Sequence, residues 1–187
     1  VPGMPHPLLV PERSPGWASL RRSFDRVRAE LERTEADLLL LYSTQWISVI
    51  GHQVQADPAP EWVHVDPEWH ELGTMPYSFR MDAPFAHAYE SAARGRGLHV
   101  RTVAYHGFPI DTGTIVALKL LNPDNRLAAC VVSCNMYADR AETLVLGKAS
   151  DTIPSGVLEI GAVSRVLGYE PGHSSDMLED YFRTVYK

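Results

Sequence analysis

Long apolar runs are missing from this sequence of 187 residues. No stretch approaches the ~20 consecutive apolar residues that a membrane-spanning helix needs, and the first residues lack a charged segment followed by an apolar signal core. The expectation is a soluble, cytoplasmic protein without a membrane partner. Clustered positive charge is missing as well. Seventeen Lys and Arg stand against 23 Asp and Glu, a formal net charge of −6, with no basic block, which argues against a nucleic-acid partner because phosphate contacts need grouped cations. Cysteine is scarce. Cys130 and Cys134 share a face if "CVVSC" is a strand, but sit too far apart along it for a comfortable bridge, so two buried thiols are expected. No CxxC, GxGxxG, P-loop, GxSxG or HExxH pattern occurs, which leaves zinc ribbons, nucleotide cradles, hydrolase elbows and zincin sites without support.

What is present fits one globular domain spanning residues 1–187, with 45% hydrophobic and 21% charged residues. "VPGMPHPLLVP" is punctuated by proline and reads as a first strand running into a stiff loop that carries His6. Ser14-Pro15 makes an N-cap and first-turn pair, and Leu20, Phe24, Val27 and Leu31 recur at helical spacing, which predicts a helix over 15–34. "ADLLLLYS" is a continuous apolar run, the pattern of a strand covered on both faces and ending near Ser43-Thr44. Residues 51–82 hold prolines and aromatics without a clear period and read as an excursion over one end of a sheet.

Asp82 caps a predicted helix over 83–94 that stops at Gly95 and Gly97. A strand in "LHVRTVAY", a short helix in "GTIVALKLL" and a buried strand in "RLAACVVS" follow. Helices are predicted over about 139–149, 155–167 and 176–186. The alternation implies an α/β fold, a mixed or mostly parallel sheet flanked by helices. Neither internal repeats nor low-complexity segments occur.

Eight histidines invite a metal hypothesis. His64, His70, His87 and His99 have no partner at ligand spacing and read as ordinary surface or hydrogen-bonded residues, and His173 as a turn residue. His6 differs, because flanking prolines hold it still. It is either a ligand or base, or a ring packed under the aromatic loop. The next junctions supply Gln45 and Trp46, then Tyr105, His106, Asp111 and Thr112, so three successive strand ends are expected to converge on one rim and form a pocket. Asp66, Glu68 and Glu71 read as solvated loop charges.

The stretches "VPGMPHPLL", "LLLLYSTQWISV", "WVHVDPEWHELGTMPYSFRMD" and "HGFPIDTGTIVALKLL", with a weaker echo in "VVSCNMYADRAET", resemble the class III, protocatechuate 4,5-dioxygenase type extradiol dioxygenases. Within that superfamily the likeness is to the α subunits of 2-aminophenol 1,6-dioxygenases. It covers most of residues 1–121 and thins beyond about 150. Catalytic members hold Fe(II) with two histidines and a glutamate. The resemblance places His6 where the first iron histidine belongs and Gln45 where the second belongs. Thr112 falls where a pocket histidine stands, and Glu159 falls near the glutamate ligand. A late strand with an acid/base histidine has no counterpart. The α subunits are longer by a block after the helix near 140, so the chain reads as a shortened relative, or as one with an omission between about 147 and 156.

These substitutions imply a noncatalytic α-type subunit with no cofactor of its own. It would pair with and stabilise a catalytic subunit that carries Fe(II), with Trp62, Trp69 and Tyr77 forming either a contact surface or an intramolecular lid. Two alternatives stay open. One is an active divalent-metal enzyme in which His6 and a carboxylate such as Glu159 or Asp111 hold the ion and Gln45 orients a phenolic substrate. The other is a metal-free module that binds an aromatic small molecule.

Overall fold

The computed structural model describes residues 4–33, 36–153 and 157–158. The chain begins with a single helical turn, α1 (His6–Leu9), followed by α2 (Pro15–Leu31). Pro7 sits within the first turn of α1, where the missing N–H costs nothing, so the "PHP" stretch that reads as a strand-end loop is helical instead. Ser14 caps α2 by accepting the Trp17 N–H. β1 (Leu38–Ser48) is longer than its apolar run suggests, and β2 (His52–Gln55) follows after a tight turn. Gly51 makes that turn possible: its φ is +65°, and a Cβ there would stand 2.1 Å from the His99 carbonyl oxygen.

The 51–82 excursion carries more order than its composition signals. It contains β2, the antiparallel pair β3 (Glu61–His64) and β4 (Met75–Ser78), and a 3-10 turn over His70–Leu72. Then come α3 (Ala83–Gly95), capped by Asp82, β5 (Val100–Val103), α4 (Thr112–Leu121), β6 (Ala128–Asn135), α5 (Arg140–Gly147) and the two-residue β7 (Val157–Leu158). β7 pairs with β1 where a helix over 155–167 is expected. The remainder of that span, and the predicted helix over 176–186, lie outside the described residues.

The main sheet has the order β5-β2-β6-β1-β7. β1 runs parallel to β6 and β7, whereas β2 is antiparallel to β6 and parallel to β5. The sheet is therefore mixed and mostly parallel, as the alternation of elements implies.

Side chains alternate across the sheet. Leu39, Ala129 and Val131 face α2, α4 and the β3-β4 hairpin, while Leu38, Leu40, Cys130 and Val132 face α3 and α5. Covering both faces explains the unbroken apolar run of β1. Cys130 is buried but Cys134 is exposed, which corrects the expectation of two buried thiols; both are free. On the α3/α5 face, Tyr89 donates to the Leu146 carbonyl at 2.6 Å, and burial raises its pKa. Buried His52 pairs through Nε2 with Glu142 at 3.0 Å and ties β2 to α5. No helix among the described residues is long and apolar enough to cross a membrane.

Candidate functional site

β1 and β6 stay in register as far as Ser43 and Ser133, and pairing resumes at Ile47 and Cys134. Thr44, Gln45 and Trp46 thus have no partner on β6 and bulge out of the ladder. Ser43 holds the bulge, its Oγ accepting from the backbone N–H groups of Gln45 and Trp46 at 3.2 and 3.1 Å. The bulge re-aims Gln45 at the start of α4. There its Oε1 accepts the Gly113 N–H at 2.5 Å.

Asp111 completes the cap of the same helix, taking the Thr114 N–H and hydroxyl at 2.9 and 2.7 Å. The first turn of a helix has backbone donors without intrahelical acceptors, and α4 is buried almost throughout, so these caps replace water that cannot reach it. Gln45 is by this geometry a second cap of α4. An added Cβ at Gly113 would stand 2.8 Å from the Gln45 oxygen and would make that side chain shift.

Thr112 joins two residues that sequence reasoning sets aside. Its hydroxyl donates to Asp66 Oδ2 at 2.5 Å and stands 2.9 Å from His64 Nε2. Asp66 is buried, with Oδ1 accepting the N–H groups of Glu68 and Trp69, which closes the turn through Pro67. It is not a solvated loop charge, whereas His64 is a hydrogen-bonded ring, one of the two placements expected for it. The Asp-Pro pair two residues after a strand histidine is the signal that was there to read: an Asx turn at a strand end holds its carboxylate close to the backbone. Burial lowers the His64 pKa below the ordinary 6.5, with Asp66 and then Asp111 opposing the shift.

Gln45, Asp111, Thr112, His64 and Asp66 line one cleft of about 620 Å3, walled also by Trp69 and Ile47. Tyr105 and His106 stand apart from it. β5 runs antiparallel to β1, so the C-terminal ends of the two strands point in opposite directions; of the residues expected on one rim, Asp111 and Thr112 join Gln45, and Trp46 meets Phe108 at 5.2 Å. His106 Nδ1 lies 3.4 Å from Asp57 Oδ2 and faces a separate groove with Trp62 and Tyr77. Tyr105 is exposed and meets Phe108 edge-on.

His6 is buried at the start of α1. Its ring stacks on Trp17 at 4.9 Å and meets the edge of Trp69 at 4.7 Å, and Nδ1 has no hydrogen-bond partner among the described residues. His6 thus lies under the aromatic loop, against Trp69. Trp69 packs on His6 and buried Tyr77 belongs to the core, whereas Trp62 is exposed.

A ferrous site of the two-histidine, one-carboxylate kind does not fit the described residues. His6 offers one imidazole with an unpartnered nitrogen. The Gln45 oxygen accepts from a backbone amide, the Thr112 hydroxyl is shared between Asp66 and His64, and each Asp111 oxygen accepts from Thr114. Among the described residues no three His, Cys, Asp or Glu side chains come together as metal ligands would. Glu159 lies outside them.

No protein-family model matches the chain. Over 144 residues, 76% of its length, it is 38% identical to the 2-aminophenol 1,6-dioxygenase alpha subunit of a Pseudomonas species, covering 53% of that protein. It is 29% identical to the beta subunit of the 2-aminophenol 1,6-dioxygenase of a Pseudomonas species over 188 aligned residues, 93% of this chain and 62% of that one. The chain thus spans somewhat over half the length of these curated relatives. A 43-residue stretch, 23% of the chain, is 58% identical to a bifunctional glutamine synthetase adenylyltransferase/adenylyl-removing enzyme of Streptomyces avermitilis; at 4% of that protein it bears on a local segment and not on an activity.

Two outcomes follow from the Asp66-Thr112-His64 arrangement. Thr112→Val removes the donor to a buried carboxylate and should lower unfolding free energy by about 1–3 kcal/mol, whereas Thr112→Ser should stay near the parent; urea unfolding measures both. His64 is harder to protonate folded than unfolded, so its contribution to stability is complete above about pH 6.5 and is lost as pH falls through the lowered folded pKa. Melting temperatures between pH 8 and 5 should therefore fall less steeply in His64→Gln than in the parent, and equal slopes would contradict the assignment.

Proposed function

Since the chain belongs to the extradiol dioxygenase family, we propose that it is a noncatalytic, α-type subunit. In this reading it pairs with and stabilises a catalytic subunit that carries Fe(II) and cleaves a 2-aminophenol- or catechol-type ring. The observation that carries the reading is the engagement of the Gln45 carboxamide by the Gly113 backbone amide. At that position a metal ligand would need an imidazole nitrogen facing a shared ion, and the side chain instead caps a buried helix. A neutral amide is in any case a poor ligand for Fe(II).

The rival reading, an active divalent-metal enzyme, needs His6 joined by a carboxylate such as Asp111 or Glu159. Asp111 has both oxygens committed to the α4 cap, which favours the noncatalytic reading.

Pairing is supported by surface chemistry. Ile47, Val49 and Ile50 at the end of β1, and Met136 and Tyr137 after β6, are exposed large apolar side chains. The Met136 N–H bond to the Ser48 carbonyl brings the two groups together. A contiguous apolar patch of this kind marks an interaction surface more often than chance exposure. The catalytic subunit is its proposed occupant.

The experiment is purification of the chain alone and after co-expression with a full-length β-type subunit. Alone, it should hold far less than one iron per chain and consume no oxygen with 2-aminophenol, and Gln45→His should not change that. Co-expressed, the two should copurify, and Ile50→Glu should weaken the pairing while leaving the circular dichroism of the isolated chain unchanged. Stoichiometric iron and ring cleavage by the chain alone would overturn the proposal.

A further inference from the structure

A sheet edge is a row of backbone donors and acceptors that another strand can use, and folded chains close such edges with charge, proline or side-chain contacts. β5 ends the main sheet. It meets β2 through the His52 N–H on the His99 carbonyl and the Ala56 N–H on the Val103 carbonyl, so the backbone groups of Thr102 face outward. Glu90 on α3 closes that position. Its Oε2 accepts the Thr102 N–H at 3.3 Å and the Thr102 hydroxyl at 3.0 Å, and Arg94, one helical turn away, pairs with the carboxylate. The outer edge of β4 is closed as well: Pro76 has no N–H to offer, and the Ser78 carbonyl accepts from the Asn125 amide at 2.9 Å.

The edge of β3 has no such closure. The Phe79 N–H bonds to the Pro60 carbonyl and the Met81 N–H to the Pro58 carbonyl, and Trp62 registers with Tyr77. Bonded and non-bonded pairs alternate in an antiparallel ladder, so the backbone groups of Trp62 and His64 meet β4 while those of Glu61, Val63 and Val65 point the other way. Among the described residues no strand pairs with that side, and these backbone groups have no hydrogen-bond partner. Trp62, Val63 and Val65 lie exposed along it.

The stretch "EWVHV" is self-complementary. Turned about a two-fold axis at Val63, a second copy sets Val63 opposite Val63, Glu61 opposite Val65 and Trp62 opposite His64. Every outward backbone group is then used and no like charges meet. The Trp62–His64 pairs fall at the closer, non-hydrogen-bonded positions, where ring packs on ring. An axis at Glu61 would instead face two carboxylates.

We propose that β3 is a self-pairing edge, through which two copies of this chain join antiparallel over residues 61–65 into one continuous sheet of order β4-β3-β3-β4. This surface is separate from the Ile47, Val49 and Ile50 patch, so a copy joined through β3 keeps that patch free for a catalytic subunit. The inference does not rest on that pairing.

Sedimentation velocity of the full purified chain tests it. The parent should dimerise with a Kd at or below about 100 µM, the range of a small interface. Val63→Pro removes an N–H that β4 does not use, and Val63→Lys sets like charges opposite each other across the axis. Each should weaken the dimer at least about tenfold with the circular dichroism unchanged. Val65→Lys faces Glu61 of the second copy and should keep the dimer, which a non-specific apolar contact would not do. Ile50→Glu should keep it too, and Val63→Pro should still copurify with a β-type subunit.

A gentler substitution reads the register directly. Directly opposed Cα atoms in a bonded antiparallel pair stand about 5.5 Å apart, within disulfide range. In a Cys134→Ser background, Val63→Cys should therefore form a disulfide-linked dimer on mild oxidation, whereas Ser78→Cys on the closed edge should not. A parent that stays monomeric up to about 500 µM, fivefold above the expected Kd, would overturn the proposal. So would a dimer that withstands the Val63 substitutions, one that Val65→Lys or Ile50→Glu disrupts, or a Val63→Cys chain that fails to cross-link.

Discussion

The hydrogen bond from the Gly113 amide to the Gln45 carboxamide is the constraint on which the rest of this molecule's site depends. α4 is surrounded by core, with Ile115, Val116, Ala117, Leu118 and Leu120 all buried. A helix so placed leaves its first backbone donors far from water, and each unsatisfied donor costs about as much as a typical stability margin can spare. The β1 bulge delivers Gln45 to one of them and Asp111 takes another. The Gln45 oxygen is thereby engaged at the N-terminus of α4.

The same economy governs the loop that follows β3. Asp66 closes its own turn with one oxygen and holds Thr112 with the other, and Thr112 in turn orients His64. His6 is fixed differently, by Trp17 and Trp69 on two sides. Its ring has an unpartnered nitrogen, but the residues that the resemblance would bring to that nitrogen are engaged elsewhere or lie outside the described residues. The outcome is a cleft whose polar wall is held by hydrogen bonds among its own residues.

Much of the fold was legible because it rests on local rules. The caps at Ser14 and Asp82, the doubly buried run of β1 and the alternation of α4 with β6 all follow from side-chain type and period. What the sequence concealed depends on partners distant in the chain. β2 is four residues long and does not stand out from the Pro-rich excursion around it, yet it reverses direction within the sheet and so sends Tyr105 and His106 away from Gln45. Likewise the pairing of Thr112 with Asp66 and His64 spans 46 and 48 residues, a separation that no local pattern encodes. The two prolines around His6 were a fair sign of rigidity. They indicated a loop and proved to begin a helix, because a first turn tolerates proline as readily as a loop does.

The central claim is that this chain's side chains at the β1-α4 junction are committed to one another and not to an ion. Anaerobic titration of the isolated chain with Co(II), followed by its visible absorption, tests it most directly, since nitrogen and carboxylate ligation gives d–d bands distinct from those of the aqueous ion. The account predicts the spectrum of hydrated Co(II) throughout, unchanged by the protein. Saturable growth of ligand-field bands at one ion per chain, abolished by His6→Ala, would contradict it.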